Sequence, residues 1–574
     1  MTTGLAVGPS YPNSAALGTR VYAAISEGEM GADLNADGDL ADSVLEEIDT
    51  TDGSVRSLGL AVVGRIVASD KQVAFLVSEA GQMGTDLNLD GDFGDLIWHV
   101  FDPAVALAPG TNPLNTGIAG SSAGAGTTGG FVLLESEAAA GADRNGDGDQ
   151  VDIVPRVFNG NTFAVAALIG PAYAPTTALV ARNGRVLYVA SEAAQGVSLN
   201  GDPDTFDFAL HAIDFAPGLP TLRRIGAGAA RAVANNPFAL TDTAAVYFID
   251  EASENGIDLN NDADANDAVL AVYDLASGAG ETLPFTPQIP SFAVAGATAV
   301  GIGVGSTRAI VAVSEAGQKR DLNNDFDQVD FILAWIDTTA PATLNFHASV
   351  ALAARTPAID GTRGLVAVSE GASGFQGTDL NNDGDKGDAV LFLLDTGSAP
   401  GTVSNFALAT SAYQVSGVDA FVGVDEAAQG SDFNGNGSAT DTVQFYIDLG
   451  DAIPVPRGLG IVATSGTFFR FSAQEVRVAA VLPEGQSATY GDLNQDGDTL
   501  DSALELIALN PSLAPPPFIS PTPFFAGECS AGSSQPLRTG AATFVFPASE
   551  AMAGEDMNGD ADLLDTVLCV TRIQ

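Results

Sequence analysis

The chain is poor in cysteine, histidine and base. Two cysteines among 574 residues, Cys529 and Cys569, exclude a disulfide framework, and three histidines, His99, His211 and His347, leave little from which to build a zinc centre. Only 22 Lys+Arg stand against 72 Asp+Glu, and the formal charge of −50 excludes a nucleic-acid binder working through a basic surface. Long apolar runs are missing too. The longest weakly polar stretch, Phe292 to Gly305, is too short and too rich in glycine to span a bilayer. No signal-peptide pattern follows Met1, as expected of a cytoplasmic chain or of one already processed. No serine or cysteine nucleophile motif accompanies the histidines and no phosphate-binding glycine loop occurs, so no catalytic residue is assigned and the histidines read as structural. Trp98 and Trp335 read as packing residues rather than a sugar platform.

What the chain does have is apolar bulk and localised acid. Hydrophobic residues make up 46% and mean hydropathy is +0.19, so the composition is that of a folded protein with a large core. One ten-residue pattern, D-x-N-x-D-G-D-x-x-D, occurs ten times, at 33–42, 86–95, 143–152, 198–207, 258–267, 321–330, 379–388, 432–441, 492–501 and 556–565. Its mean step is roughly 58 residues, which marks a repeat architecture. Position 1 is Asp33, Asp86, Asp143, Asp258, Asp321, Asp379, Asp432, Asp492 and Asp556, with Ser198 in the fourth copy. Position 3 is Asn35, Asn88, Asn145, Asn200, Asn260, Asn323, Asn381, Asn434, Asn494 and Asn558. Position 5 is Asp37, Asp90, Asp147, Asp202, Asp262, Asp325, Asp383, Asp496 and Asp560. Position 7 is Asp39, Asp92, Asp149, Asp204, Asp264, Asp327, Asp385, Asp498 and Asp562; the eighth copy has Asn436 and Ser438 at these two positions. Position 10 is Asp42, Asp95, Asp152, Asp207, Asp267, Asp330, Asp388, Asp441, Asp501 and Asp565.

Each copy is preceded by an apolar run closed by a glutamate: Glu27, Glu79, Glu137, Glu192, Glu251, Glu315, Glu370, Glu426, Glu484 or Glu550. A second apolar run follows, as in Ala389-Val-Leu-Phe-Leu-Leu-Asp395, so each repeat reads strand, acidic loop, strand. The ten glutamates and the aspartates of positions 1, 5, 7 and 10 account for 47 of the 72 acids, leaving 25 to face 22 bases. The excess charge therefore lies in ten small deposits on a nearly neutral scaffold.

Oxygen ligands alternating along a tight loop suit a hard cation. Asx-turn chemistry uses the same residue types, but it gains nothing from four crowded carboxylates that repel one another. Calcium is expected over magnesium, which prefers few carboxylates and several retained waters, and over zinc, which lacks Cys or His here. The glutamates are candidate further ligands; a strand-end acid accepting backbone N–H bonds is the equal alternative. One calcium ion per repeat is expected, or two if the glutamates bind. The fourth copy (Ser198, Pro203) and the eighth are expected to bind weakly or not at all, whereas the fifth (Ala263), sixth (Phe326) and tenth (Ala561) lose only the position-6 glycine.

Further short strand candidates, such as Ser57–Val62 and Thr402–Ala409, bring each repeat to about four strands. The hairpin texture of Val73-Ala-Phe-Leu-Val-Ser-Glu79, acidic loop and Ala268-Val-Leu-Ala-Val-Tyr-Asp274 resembles the blades of TolB-like propellers. The loop is similar to that of the FG-GAP propellers of integrin alpha chains, D-x-D-x-D-G-x-x-D, although the last aspartate here falls one residue later and no FG-GAP signature precedes it. The resemblance implies an all-β propeller with one calcium loop per blade. The chain starts with a strand, Thr3–Val7, of the kind missing after Thr566–Val570 at its end, so this N-terminal strand is expected to complete the last blade and close one ring of ten. Two five-bladed rings split near 297 are the alternative. Cys529 and Cys569 both fall in the tenth repeat and either bridge there or stay as buried thiols.

The expected function is that of an extracellular or cell-surface, calcium-stabilised structural or adhesive propeller. Its expected partners are calcium together with copies of itself, in filaments built by strand donation or ring contacts, or a cell-surface protein or glycan. A secreted polysaccharide-active enzyme and a lectin-like carbohydrate-binding module are the alternatives.

Overall fold

The computed structural model describes the chain except for residues 1, 8–13, 175–177, 216–217, 229–237, 254–255, 276–299, 341–343, 373–377, 463–464, 473–474, 484–501, 510–536, 540–542, 554–555, 561 and 573–574. Glu484, the ninth loop, Cys529 and the region near 297 thus lie outside the described residues.

Architecture is all-β, built from antiparallel meanders. In the fourth repeat, Val180–Arg182, Arg185–Ser191, Phe208–Asp214 and Thr221–Gly228 follow one another as neighbours in one sheet, and the sixth repeat forms a four-stranded sheet in the same order. The two middle strands flank the acidic loop. In most repeats they bury five or more consecutive residues, as in Val73–Ser78 and Leu96–Phe101, because both faces of the hairpin are covered. Covering comes from the next sheet: one apolar cluster joins Tyr22, Ala24 and Leu45 of the first repeat to Val73, Phe75, Val77 and Phe101 of the second. Another joins Leu210 and Ala212 of the fourth repeat to Tyr247 and Ala271 of the fifth. Position 2 of the loop seats on these clusters, with Leu87, Leu259 and Leu322 packed against them and Leu380 buried within one.

The strand candidates at Ser57–Val62 and Thr402–Ala409 are parts of longer strands. Val55–Ala68 pairs first with Ser43–Asp49 of the first repeat and then with Val73–Ser78 of the second, and Thr402–Ser416 likewise serves the seventh and eighth. Both bend at register shifts. A long strand shared by consecutive sheets leaves no sequence punctuation between them.

The described residues form two compact units, one of Met1–Gly170, Phe215–Pro220 and Ile461–Gln574, the other of Pro171–Asp214 and Thr221–Gly460. Within the first, the N-terminal strand Thr2–Val7 lies antiparallel to Thr566–Arg572, with Ala6 opposite Val567 and Val7 opposite Thr566. Val545, Leu568 and Val570 of the last repeat also share a core cluster with Val21, Ala23 and Ile25 of the first. Cys569 is buried in the same strand. Among the described residues no helix is long and apolar enough to cross a membrane.

Candidate metal centre

The nine described glutamates are all fully buried, and each sits opposite position 10 of its loop, its N–H bonded to that aspartate's carbonyl. The pair ends the central hairpin, and the loop grows from it. Here the side chain turns inward. Oε1 of Glu27 accepts the N–H groups of Leu34 (2.5 Å) and Asn35 (3.2 Å), the second and third loop positions. Glu137, Glu251, Glu315, Glu370, Glu426 and Glu550 hold the same two positions, Glu192 does so through Leu199 and Asn200, and Glu79 holds Leu87. The backbone-anchoring role, one of the two open for these acids, is thus filled by Oε1, and in five loops Oε2 adds to it by accepting the position-10 N–H: Asp95 on Glu79, Asp152 on Glu137, Asp267 on Glu251, Asp330 on Glu315 and Asp388 on Glu370, at 3.2 to 3.3 Å.

In the other four described loops Oε2 is left over. In Glu27, Glu192, Glu426 and Glu550 this buried oxygen has no hydrogen-bond partner, and so has Oδ2 of Asp202, Asp262 and Asp325 at position 5. Of these residues, Glu27, Glu192, Glu550, Asp202 and Asp325 belong to converging groups. Glu27, Asp37, Asp39 and Asp42 bring one carboxylate oxygen each within 4.8 Å of one another, as do Glu137, Asp147, Asp149 and Asp152, and the corresponding residues of the fourth, sixth and tenth loops. Burying an uncompensated carboxylate is costly, and a second one beside it more so. A cation at the centre answers both costs.

Burial pushes the position-10 carboxyl up to about 6 in Asp42, Asp95, Asp152, Asp267 and Asp388, and to about 7 in Asp207, Asp330 and Asp565, with the loop's other acids adding to the rise. A group whose folded pKa lies above its unfolded value near 3.9 adds stability below that value and loses it as pH rises through the folded one. In chelator the protein is therefore expected to melt at higher temperature at pH 5 than at pH 7.5. With calcium the order should reverse, because protons compete for the same oxygens. Thermal melts at the two pH values check both signs, and a metal-free protein that loses stability on acidification to pH 5 contradicts the first.

Position 1 stands apart from the five converging groups. The position-1 carboxylate accepts loop N–H groups: Asp33 Oδ2 takes that of Gly38 at 3.0 Å, and position 6 is bonded in this way in seven loops. The fourth loop has lost both partners together, since Pro203 has no N–H and Ser198 has a single oxygen, which accepts from Gly201. Its acidic group of Glu192, Asp202, Asp204 and Asp207 is intact. The substitutions that single out this loop in the sequence therefore fall outside the cluster. In the eighth loop they fall inside it: Asn436 and Ser438 leave Glu426 and Asp441, and Asn436 Nδ2 donates to Asp441 Oδ2 at 2.6 Å.

Tight turning is concentrated at two positions. Position 6 has positive φ in Gly38 (102°) but also in Ala263 (80°) and Phe326 (79°), and position 4 is left-handed in all nine described loops, including Ala36 and Leu89. Asn and Gly supply position 4 in the other seven described loops, a regularity that the D-x-N-x-D-G pattern hides. Phe326 is 96% exposed, so it meets this strain without packing in return. Phe326→Gly is expected to raise stability by about 1 kcal/mol, read as a higher denaturant midpoint; a lower midpoint contradicts the strain.

The scaffold's bases are used elsewhere. Arg185 pairs with Asp214, Arg308 with Asp337 and Arg363 with Asp395, each across the far end of its hairpin. Among the described residues one base pairs with loop acids, Lys319 Nζ lying 2.6 Å from Asp264 and 3.5 Å from Asp262. His99 and His211 are buried against Phe75 and Tyr188, and desolvation pushes both down to about 4, which keeps them neutral. His347 is also pushed down by burial. Trp98 is buried and donates to Leu134 O, and Trp335 to Pro400 O.

No family model and no curated protein matches the chain. Among solved structures, the β-propeller domain of the Trilobed protease from Pyrococcus furiosus superposes with a TM-score of 0.28 at 7% identity, over 70% of this chain and 97% of that one. AztD from Citrobacter koseri gives 0.30 at 10%, over 81% and 88%. BamB from Moraxella catarrhalis gives 0.27 at 12%, over 73% and 93%. Superpositions this loose carry no argument about what the chain does.

Proposed function

We propose that the chain is a calcium-binding, calcium-stabilised structural β-propeller of ten blades that works outside the cell or on its surface. The observation that carries the reading is the repeated convergence of a buried glutamate with three aspartates, its Oε2 unpartnered in several loops. The oxygen-only ligand set favours calcium over softer metals. Several carboxylates per site favour it over magnesium. Four-stranded meanders, face-to-face packing of consecutive sheets and the pairing of first and last strands support the ring. Such open loops suit millimolar calcium, where weak sites still saturate. Position 9 carries exposed Val151, Phe206, Val329 and Leu564 beside the acids, apolar points on which adhesive or self-assembling contacts would form.

Isothermal titration with calcium tests the reading. Several ions per chain are expected, with dissociation constants of roughly 10⁻⁴ to 10⁻³ M and weaker binding of magnesium. Absence of calcium binding at 10 mM, or a preference for magnesium, overturns it.

A further inference from the structure

Position 3 is asparagine in all ten loops, whereas positions 1, 5, 7 and 10 are aspartate almost throughout. Aspartate would serve a cation at least as well; what it lacks is an N–H. The amide uses that difference. Asn35 Nδ2 donates to Asp42 Oδ2 (3.3 Å) in its own loop and to Gly81 O (3.0 Å) in the next repeat. Asn88 reaches Asp95 and Ala139 O, Asn200 reaches Asp207 and Ser253 O, Asn260 reaches Asp267 and Gly317 O, and Asn381 reaches Asp388 and Ala428 O. The carbonyl is each time two residues after the neighbour's buried glutamate. Asn558 of the last repeat makes the same pair of bonds, to Asp565 Oδ2 (2.6 Å) and to Glu29 O (3.1 Å), two residues after Glu27 of the first. The join of last repeat to first thus copies these five internal joins, whereas Asn323 of the sixth loop bonds to Asp330 of its own loop.

A primary amide has two hydrogens, and here one holds a member of the acidic group while the other holds the turn that carries the next group's glutamate. We propose that this asparagine makes each calcium ion a clasp on the following repeat, so that occupancy of one loop raises calcium affinity at the next, and from the last repeat to the first. The inference rests on the calcium reading above. An ion fixes the position-10 carboxylate, which orients the amide, which in turn fixes the backbone beside the neighbour's glutamate. The eighth loop keeps the bond within its own loop, Asn434 to Asp441, although two of its cluster acids are gone.

The test is a double-mutant cycle on the full chain, read by amide hydrogen exchange in the peptide 79–95 of the second loop over a calcium titration. Asp37→Asn with Asp39→Asn, which disables the first loop, is expected to raise the calcium needed for half-protection of the second loop at least about fivefold. Asn35→Ala alone is expected to do the same, and all three substitutions together to add nothing further. Asn35→Asp keeps a side-chain oxygen to accept the Asp37 N–H yet is expected to lose the coupling. A second-loop midpoint that stays at the wild-type value in these variants, or shifts that simply add, overturns the clasp while leaving calcium binding intact. Failure of wild-type calcium to protect the second loop at all overturns the calcium reading and the clasp with it.

Discussion

Transfer from 5 mM calcium into chelator is expected to lower the melting temperature by roughly 10 °C. An ion present at about ten times its dissociation constant stabilises the folded chain by about 1.4 kcal/mol per site. The five acidic groups described and the three more like them would together contribute about 11 kcal/mol. A chain of 574 residues unfolds with an entropy of about 1.2 kcal/mol/K, which converts that sum into the stated shift. It is comparable to the whole stability of an ordinary domain. Melting followed by circular dichroism in calcium and in chelator measures it; coincident curves contradict a structural role for the ions.

Glu27→Gln is expected to change stability in opposite directions in the two media. The glutamine oxygen can still accept the N–H groups of Leu34 and Asn35, but an amide nitrogen replaces the unpartnered Oε2 in the acidic group. With calcium, the loss of a ligand and of charge-assisted acceptance should cost about 2–3 kcal/mol. In chelator, removal of a buried, uncompensated charge should stabilise by about 1 kcal/mol. Glu27→Ala provides the contrast: it orphans both N–H groups and should destabilise in either medium, by about 3 kcal/mol. Denaturant midpoints for both variants in both media separate these outcomes, and a glutamine variant destabilised equally in each contradicts an ion at Oε2.

Much of this arrangement is legible in the sequence because it is local. Two buried strands and the loop between them need only apolar runs and a fixed spacing, and the repeat supplies each ten times. The terminal strand is legible as well, since the last repeat lacks what the first residues offer. Other features depend on contacts between repeats, which no single copy shows. The choice of Asn over Asp at position 3 becomes meaningful only when Gly81 O is seen beside Asn35. Division of labour among the acids is hidden too: Asp33 and Asp37 are identical in type, yet one caps the backbone and the other joins the acidic group. The one available signal was the fourth loop, where Ser198 and Pro203 change together. A paired loss of acceptor and donor pointed to a hydrogen bond between positions 1 and 6. Sharing of Val55–Ala68 between two sheets was hidden for the same reason, because its bend carries no break in apolar pattern.

The central claim is that the ion sits among the glutamate and positions 5, 7 and 10. Anomalous difference maps from crystals grown in calcium test it most directly. A peak is expected between Glu27 Oε2 and the carboxylates of Asp37, Asp39 and Asp42, with equivalents at Glu137, Glu192, Glu315 and Glu550 and a weak or missing one at Glu426, where Asn436 and Ser438 stand. Peaks at the position-1 aspartates without one beside the glutamates, or no peaks at all, would contradict it.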